Sequence, residues 1–226
     1  MIKKTDILGM HVDNYTVREA ILQLDVYMNN TVLNVIETVT MQMLLQAADY
    51  EAVRRCIEEA DLSVIAEQEI LSETGLATPQ RVREIKERDF QKELLKRVER
   101  NQKRVCLLAE KRAEADHVQD VFTQEYKKLI IAGSYALEEC VGDFDSVVNA
   151  INGTTPDIVI SALPMPMEAE FISEHKDKIG ASVWYGAGVH CADSDRYPGG
   201  LLKRLFTRGR LHQSMNGYQN KIKDGK

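Results

Sequence analysis

The sequence comprises 226 residues, which is long enough to bury one sizeable core and favours a single domain with an appendage over two full domains. Charged residues make up 28% and apolar residues 44% of the chain, a balance that excludes wholesale disorder. The formal net charge of -6 argues against nucleic acid as the partner, because nucleic acid binding requires a basic surface.

The four cysteines, Cys56, Cys106, Cys140 and Cys191, are widely separated and include no Cys-x-x-Cys pair. Each lies in or beside an apolar stretch, which is typical of buried thiols rather than of metal ligands or disulfides. The first ten residues lack the apolar segment of a signal peptide, and no apolar run approaches the roughly 18 residues of a membrane span. We therefore expect a cytoplasmic protein with no metal site and no cofactor.

The first third of the chain alternates strand and helix signals. Residues Ile7 to Val12 predict a short strand or ribbon, and Thr16 to Glu19 form a capping-box sequence that begins an amphipathic helix ending at Asn29. The segments that follow are, in order, a β-rich run at Val32–Thr38, helices at Met41–Ala48 and Ala52–Ala60, and a strand at Leu62–Ile65. This alternation is typical of βαβ units.

A highly charged segment comes next. Thr78 and Pro79 are typical of a helix start, with proline at the first helical position. From Arg81 to Lys103 the basic and acidic side chains are interleaved, which predicts a solvated helix carrying mixed charge pairs. Apolar residues recur between these charges, and we expect them to dock one face of that helix.

Three more strands are predicted in the second half of the chain, at Val105–Leu108, Leu129–Ala132 and Ile158–Ala162. Helices predicted at Ala113–Lys127 and Phe144–Asn152 separate them. Each crossover is long enough for a parallel pairing, which needs a dozen residues or more.

The segment after Ile158–Ala162 completes a further βαβ unit. A loop with two prolines leads into a helical pattern at Met167–Ile179, and a strand at Ala181–Tyr185 follows. We therefore expect an α/β fold with a mostly parallel, Rossmann-like sheet and helices on both faces. Because such sheets bind ligands beyond the carboxyl ends of their strands, Leu163–Glu168 and Gly186–His190 are the predicted site segments.

The C-terminal segment changes the sign of its charge, and we predict a domain at residues 1–196 with a basic appendage at 197–226. Basic side chains in the appendage greatly outnumber the single acidic residue Asp224; they are Lys203, Arg204, Arg208, Arg210, Lys221, Lys223 and Lys226. Leu201, Leu202, Leu205 and Phe206 lie among them at helical spacing. This pattern suits an anionic membrane or the phosphate of a lipid-linked substrate; a poorly packed, solvated terminus or a homo-oligomer contact is the alternative.

Short catalytic motifs are missing from the sequence. It contains no Walker loop, Gly-x-Gly-x-x-Gly, His-Glu-x-x-His or Gly-x-Ser-x-Gly. The five histidines are scattered singly, and no serine has histidine and aspartate at recognisable triad positions. Composition and periodicity thus predict the fold class but no reaction.

The order of several blocks nevertheless resembles the bacterial WecG/TagA/CpsF glycosyltransferase family, from Asp6 to about Asp193. The runs that carry this resemblance are DILGMHVDNYTVREAI, VIETVTMQMLLQAADYEAVRRCIEEADLSVIAEQEIL, VCLLAEKRAEADHVQDVFTQEY and INGTTPDIVISALPMPMEAEFISEHKDKIGASVWYGAGVHCAD. The resemblance implies an α/β enzyme that transfers an N-acetylhexosamine-type sugar from a nucleotide-sugar donor, a UDP-sugar, to a polyprenyl-diphosphate-linked or other saccharide acceptor. It also implies inversion at the anomeric centre without a metal, at the inner face of the cell membrane.

The resemblance assigns site residues by matching motifs. Glu67 falls at the family's proposed catalytic base, an aspartate, and Glu168 falls at a glutamine of a later motif. The remaining substrate-binding positions implied in the same way are Thr38, Thr40, Gln68, Arg83 (or Arg88), Gly186, Gly188, Arg204, Arg208 and Arg210.

Several of these positions depart from the family pattern. Glu67 retains a carboxylate with one extra methylene, and Gln68 replaces a glycine. Glu168 places a negative charge where a neutral amide is expected, which would repel an anionic nucleotide unless an arginine pairs with it. The sequence therefore supports two functions, a divergent glycosyltransferase with Glu67 as base and a catalytically inactive family member that acts as a binding or partner module. In the second case we expect Glu67 to cap the helix that follows it.

Overall fold

The computed structural model describes residues 4–189, 191–192 and 200–224, and in the last range it describes the side chains of residues 205–223. The strands are β1 Lys4–Ile7, β2 Met10–Asp13, β3 Asn34–Val39, β4 Leu62–Ile65, β5 Arg104–Ala109, β6 Ile130–Ala136, β7 Ile158–Ser161 and β8 Val183–Gly186. The helices are α1 Val17–Tyr27, α2 Met41–Gln46, α3 Glu51–Glu59, α4 Gln68–Glu73, α5 Pro79–Lys86, α6 Asp89–Arg100, α7 Arg112–Glu125, α8 Asp145–Gly153, α9 Met167–His175 and α10 Gly200–Asp224.

The central element is a six-stranded sheet in the order β4-β3-β8-β7-β5-β6. All five strand pairings in this sheet are parallel, which confirms the predicted α/β, Rossmann-like fold. The chain leaves β3 toward one edge and later returns to β8 from the other side, so β3 and β8 lie together in the middle. In open sheets of this kind a reversal of strand order opens a crevice at the carboxyl ends.

Both faces of the sheet are covered by helices, as predicted. Side chains from α2, α3, α8 and α9 form one core against it, and α1, α6 and α7 form the other. The two faces explain why the strands contain continuous apolar runs, since alternate side chains enter different cores. Ile36, for example, lies in one core and Val35 in the other.

The N-terminal segment forms a two-stranded antiparallel hairpin of β1 and β2, where the sequence predicted one short strand or ribbon. Leu8 and Gly9 reverse the chain with positive φ angles of 57° and 79°. The carboxylate of Asp6 accepts a hydrogen bond of 2.9 Å from the Gly9 N–H, which fixes the turn. A positive φ at leucine is uncommon, so the turn could not be read from residue type.

The charged segment after Thr78 forms two helices, α5 and α6, and the prediction of one helix from Arg81 to Lys103 is wrong. Arg88 separates them with a φ of 54°, a left-handed conformation that interrupts the helical path. Four side chains of α6 are buried: Phe90, Leu94, Leu95 and Val98. The break turns this apolar face toward the sheet, and the charges stay outside.

The C-terminal helix α10 docks against α2 and α4, so the expectation of a poorly packed terminus is wrong. Leu211 and Met215 are 1% and 5% exposed and belong to the core that contains α2. Leu205 and Phe206, one to three turns earlier, remain 60% and 69% exposed. The predicted boundary at residues 196 and 197 and the side chains of Lys203 and Arg204 lie outside the described residues.

The four cysteines, all within the described residues, form no disulfide bonds, and three of them, Cys56, Cys106 and Cys191, are buried, as the sequence predicted. No helix within the described ranges is both long enough and apolar enough to cross a membrane.

The docking of α10 can be tested with two matched leucine variants. Leu211→Ala should lower the free energy of unfolding by about 2–5 kcal/mol, because it leaves a cavity under α10. Leu205→Ala removes the same atoms from an exposed position and should change the free energy of unfolding by less than about 0.5 kcal/mol. Urea denaturation measures both. Equal losses in the two variants would show that α10 does not bury Leu211.

Candidate functional site

A cavity of about 490 Å³ lies at the carboxyl ends of β3, β4, β7 and β8. Residues that follow these strands form its floor, and α2, α5 and α6 contribute its walls. Its volume is in the range typical of sites for small molecules. The cavity therefore occupies the place where the strand order predicted a ligand crevice.

Most residues assigned from motifs line this one cavity. Seven of them come together there although they are distant in sequence: Thr38, Thr40, Glu67, Gln68, Glu168, Gly186 and Gly188. Of the side chains that the structure describes, those of Arg83, Arg208 and Arg210 do not line the cavity. Arg88, the alternative to Arg83, does line it. The side chain of Arg204 and residue His190 lie outside the description.

Glu67 lies in the cavity wall but is only 4% exposed. One of its carboxylate oxygens accepts a hydrogen bond of 2.7 Å from the backbone N–H of Met41, the first residue of α2. It is the N-cap residue of α4, yet its side chain makes no capping bond to that helix. The expected role as a cap of its own helix is therefore wrong, and the carboxylate instead ties β4 to the start of α2.

Glu168 is buried in the first turn of α9, with 1% exposure. Its carboxyl accepts a hydrogen bond of 3.1 Å from the indole N–H of Trp184. Burial raises its pKa to about 7, although hydrogen bonds from Ser161 and Trp184 act in the opposite direction. The sequence predicted that an anionic ligand would need an arginine paired with this carboxyl, but the groups that hydrogen-bond to it, Ser161 and Trp184, are uncharged.

A second buried carboxyl, that of Glu37, was missed by the sequence analysis. Glu37 is the fourth residue of β3 and is 1% exposed. Neither carboxyl oxygen has a hydrogen-bond partner among the described residues. Burial, and then the charge of Glu168, raise the pKa of Glu37 well above its usual range, while the Cys56 thiol acts in the opposite direction. The available signal was one acidic residue near the end of an otherwise apolar strand.

Gly186 brings the two carboxyls together. A Cβ atom at this position would lie 2.3 Å from Glu37 Oε2 and 2.8 Å from Glu168 Oε1. Both oxygens therefore lie close to the same point, and they cannot be farther apart than the sum of these distances. Glycine is required here for space, since its backbone does not adopt a positive φ. The resemblance selected Gly186 as a binding residue, whereas the structure gives it this packing role.

Three basic residues, Arg81, Lys86 and Arg88, line the side of the cavity formed by α5 and the start of α6. Arg81 is 8% exposed and donates a hydrogen bond to the carbonyl oxygen of Tyr15. Its guanidinium also lies 3.9 Å from the carboxylate of Glu84. Burial lowers the pKa of Arg81, and the carboxylates of Glu84 and Glu19 act in the opposite direction. Lys86 is exposed, so this wall gives the cavity mouth a positive side.

Helix α10 reaches the cavity through Thr207, which is one of the lining residues. The next residue, Arg208, points to α4, where its Nε lies 3.7 Å from the carboxylate of Glu73. His212 Nδ1 lies 2.6 Å from the same carboxylate. Arg210 is exposed. These contacts place the basic helix beside the cavity.

In the described part of the chain, no group of three or more His, Cys, Asp or Glu side chains could hold a metal ion.

Comparison with protein families gives one match, and comparison with curated proteins gives none. The matching model is that of the glycosyl transferase WecG/TagA/CpsF family, and it covers residues 5–191. The match includes every strand of the sheet and the described cavity residues other than Thr207.

The space at Gly186 can be tested by adding one methyl group. Gly186→Ala should lower the free energy of unfolding by about 1–3 kcal/mol or more, because the new Cβ would overlap Glu37 Oε2. Gly209→Ala is the matched control. Nothing lies within 4 Å of a Cβ at that helical position, so it should be neutral or stabilising by up to about 1 kcal/mol. Urea denaturation compares them, and an unchanged Gly186→Ala protein would contradict the close approach.

Proposed function

Because this chain belongs to the WecG/TagA/CpsF glycosyltransferase family, we propose that it transfers an N-acetylhexosamine-type sugar from a UDP-sugar to a lipid-linked or other saccharide acceptor. The observation that carries this proposal is the cavity, which gathers Thr38, Thr40, Glu67 and Glu168 at the strand ends. These residues come from three separate regions of the sequence, and only the fold brings them together.

The proposed reaction is a single displacement that inverts the anomeric centre and uses no metal. The acceptor hydroxyl attacks the anomeric carbon on the face opposite UDP, and the bond from that carbon to the diphosphate oxygen breaks. UDP leaves with the electron pair of that bond, and Glu67 takes the hydroxyl proton. Glu67 suits this role because its carboxylate is held by the Met41 N–H and lines the cavity.

The leaving diphosphate needs positive groups close to it, since negative charge builds up on its oxygen in the transition state. Lys86 and Arg88 in the cavity wall are proposed to provide them. Arg204, Arg208 and Arg210 of α10 are proposed to hold the diphosphate of the acceptor. Support comes from the position of α10, which reaches the cavity at Thr207.

A polyprenyl-diphosphate acceptor would lie in a membrane, and we propose that α10 brings the protein to an anionic inner membrane surface. The exposed side chains of Leu205 and Phe206 precede the basic residues Arg208 and Arg210 on this helix. Apolar side chains can enter the headgroup region while basic ones contact anionic lipid. The protein would then be cytoplasmic and peripheral.

The structure also offers a reason to consider an inactive binding module. Glu67 already accepts a backbone hydrogen bond, and Gln68 begins α4 where the family has glycine. A carboxylate used in this way could serve only to join α2 to the sheet. The inactive member would act as a binding or partner module and would lack transfer.

Donor binding is tested first, with a panel of UDP-sugars, other nucleotide sugars and UDP alone. A specific donor should raise the melting temperature, because a ligand that binds only the folded state stabilises it by about 2.7 kcal/mol at 100 times its Kd. Isothermal calorimetry then gives the affinity. Absence of binding to every nucleotide would contradict the proposed glycosyltransferase and would favour the inactive partner module.

Transfer is tested with Glu67→Gln, which keeps an oxygen that can accept from Met41 but removes the base. The variant should bind the donor and melt like the wild type, and its transfer rate should fall by about 10²–10⁴-fold. Glu59→Gln is the control, because Glu59 is an exposed residue of α3 that pairs with Lys176. Donor binding without any transfer by the wild type would favour the inactive module, and full transfer by Glu67→Gln would place the base elsewhere.

A further inference from the structure

Two acidic side chains, Glu37 and Glu168, lie together at the floor of the cavity. They come from β3 and α9 and are buried to the same extent, with 1% exposure each. Their oxygens Oε2 and Oε1 both lie where a Cβ atom of residue 186 would be, in the space that glycine leaves open. Two ionised carboxylates at this separation in a buried site repel each other strongly, and burial alone disfavours even one charge.

Among the described residues, none that contacts the pair carries a compensating positive charge. Cys56 faces Glu37 from α3, and Tyr185 interacts with it from β8. Glu59 and Arg88 act on these two neighbours rather than on the pair itself. Among the described residues, no lysine or arginine forms an ion pair with Glu37 or Glu168. A proton on one of the two carboxyls removes their mutual repulsion.

The two carboxyls differ in their hydrogen bonds. Glu168 accepts from the Trp184 indole N–H, a donor that stabilises its ionised form. Glu37 faces only the Cys56 thiol, a weak donor, and neither of its oxygens has a partner at hydrogen-bond distance among the described residues. When one of the two carboxyls is ionised, the charge is consequently more stable on Glu168, and the proton remains on Glu37.

We propose that Glu37 and Glu168 form a proton-binding element of the cavity, in which Glu37 stays protonated and Glu168 takes up a proton from solvent when a nucleoside diphosphate enters. The identity of this ligand rests on the proposed function, whereas the protonation of Glu37 does not depend on it.

Proton uptake follows from the added negative charge. A diphosphate in the cavity brings a like charge toward Glu168, which raises the pKa of this carboxyl further above its resting value of about 7. The protonated carboxyl offers one O–H donor and one carbonyl acceptor, as the amide of glutamine offers a donor and an acceptor. Glu168 can thus replace the neutral amide implied by the family resemblance. Glu37 is a positioning residue, since it acts on the ligand through Glu168.

The resting state is tested by infrared spectroscopy of the unliganded protein at about pH 8, where ordinary glutamates with a pKa of about 4.3 are fully ionised. The wild type should retain the carbonyl stretch of one protonated carboxyl, and Glu37→Gln should lose it. Glu139→Gln is the matched control. Arg112 lowers the pKa of Glu139, so this substitution should leave the band unchanged. A wild-type spectrum without the band, or a band that survives Glu37→Gln, would overturn the assignment of the proton to Glu37.

The liganded state is tested by calorimetry of UDP binding at about pH 8, in two buffers with different ionisation enthalpies. The wild type and Glu139→Gln should take up close to one proton per UDP bound, and Glu168→Gln should take up none. The wild-type affinity should fall about tenfold more than that of Glu168→Gln between about pH 6 and pH 8, since the folded carboxyl titrates near 7. Both proteins bind the same nucleotide, so ionisation of its phosphate cancels in this comparison.

The outcomes separate this inference from the proposed function. UDP binding without proton uptake would overturn the inference and leave the donor class intact. No binding of UDP would contradict both the donor class and the uptake by Glu168, while the infrared band would still decide the proton on Glu37.

Discussion

The close approach of Glu37 and Glu168 to Gly186 is the constraint on which the site depends. The parallel register pairs Gly186 with Glu37 on one side and with Ser161 on the other. With no Cβ at this position, a side chain from β3 and a side chain from α9 can meet over the end of β8. This contact closes the floor of the cavity, and the strand ends around it supply the remaining lining residues.

The environments of three carboxyls assign them different tasks. Glu67 is held by a backbone N–H at the start of α2. Glu168 has an indole donor, whereas Glu37 faces only the weak thiol donor of Cys56, and neither of its oxygens has a partner at hydrogen-bond distance among the described residues. Carboxyl groups placed in unlike surroundings separate in pKa, which is how one site can contain both a proton acceptor and a neutral hydrogen-bonding acid. The replacement of an amide by Glu168 is then compatible with an anionic donor, and no arginine is needed beside it.

The sheet could be predicted from the sequence because buried parallel strands are continuous apolar runs, and Leu62–Ile65 was located to the residue. The hydrogen-bond partners of the site side chains could not be predicted from the sequence. Glu67 binds Met41 from 26 positions away, and its own helix was the nearer choice. Arg81 was assigned to a solvated helix, yet it is buried and donates a hydrogen bond to the carbonyl oxygen of Tyr15, 66 positions away. Leu211 and Met215 do not form a continuous apolar face in the sequence of α10. Their packing against α2, an element distant in the sequence, could therefore not be predicted.

A crystal structure of the protein with UDP at about pH 6 would show whether the donor of this glycosyltransferase binds at the ends of β3, β4, β7 and β8. The account predicts the nucleotide inside the cavity of about 490 Å³, with its diphosphate toward Lys86 and Arg88 and one of its polar groups within hydrogen-bond distance of Glu168. A nucleotide bound outside this cavity, or a cavity that stays empty at saturating UDP, would contradict it.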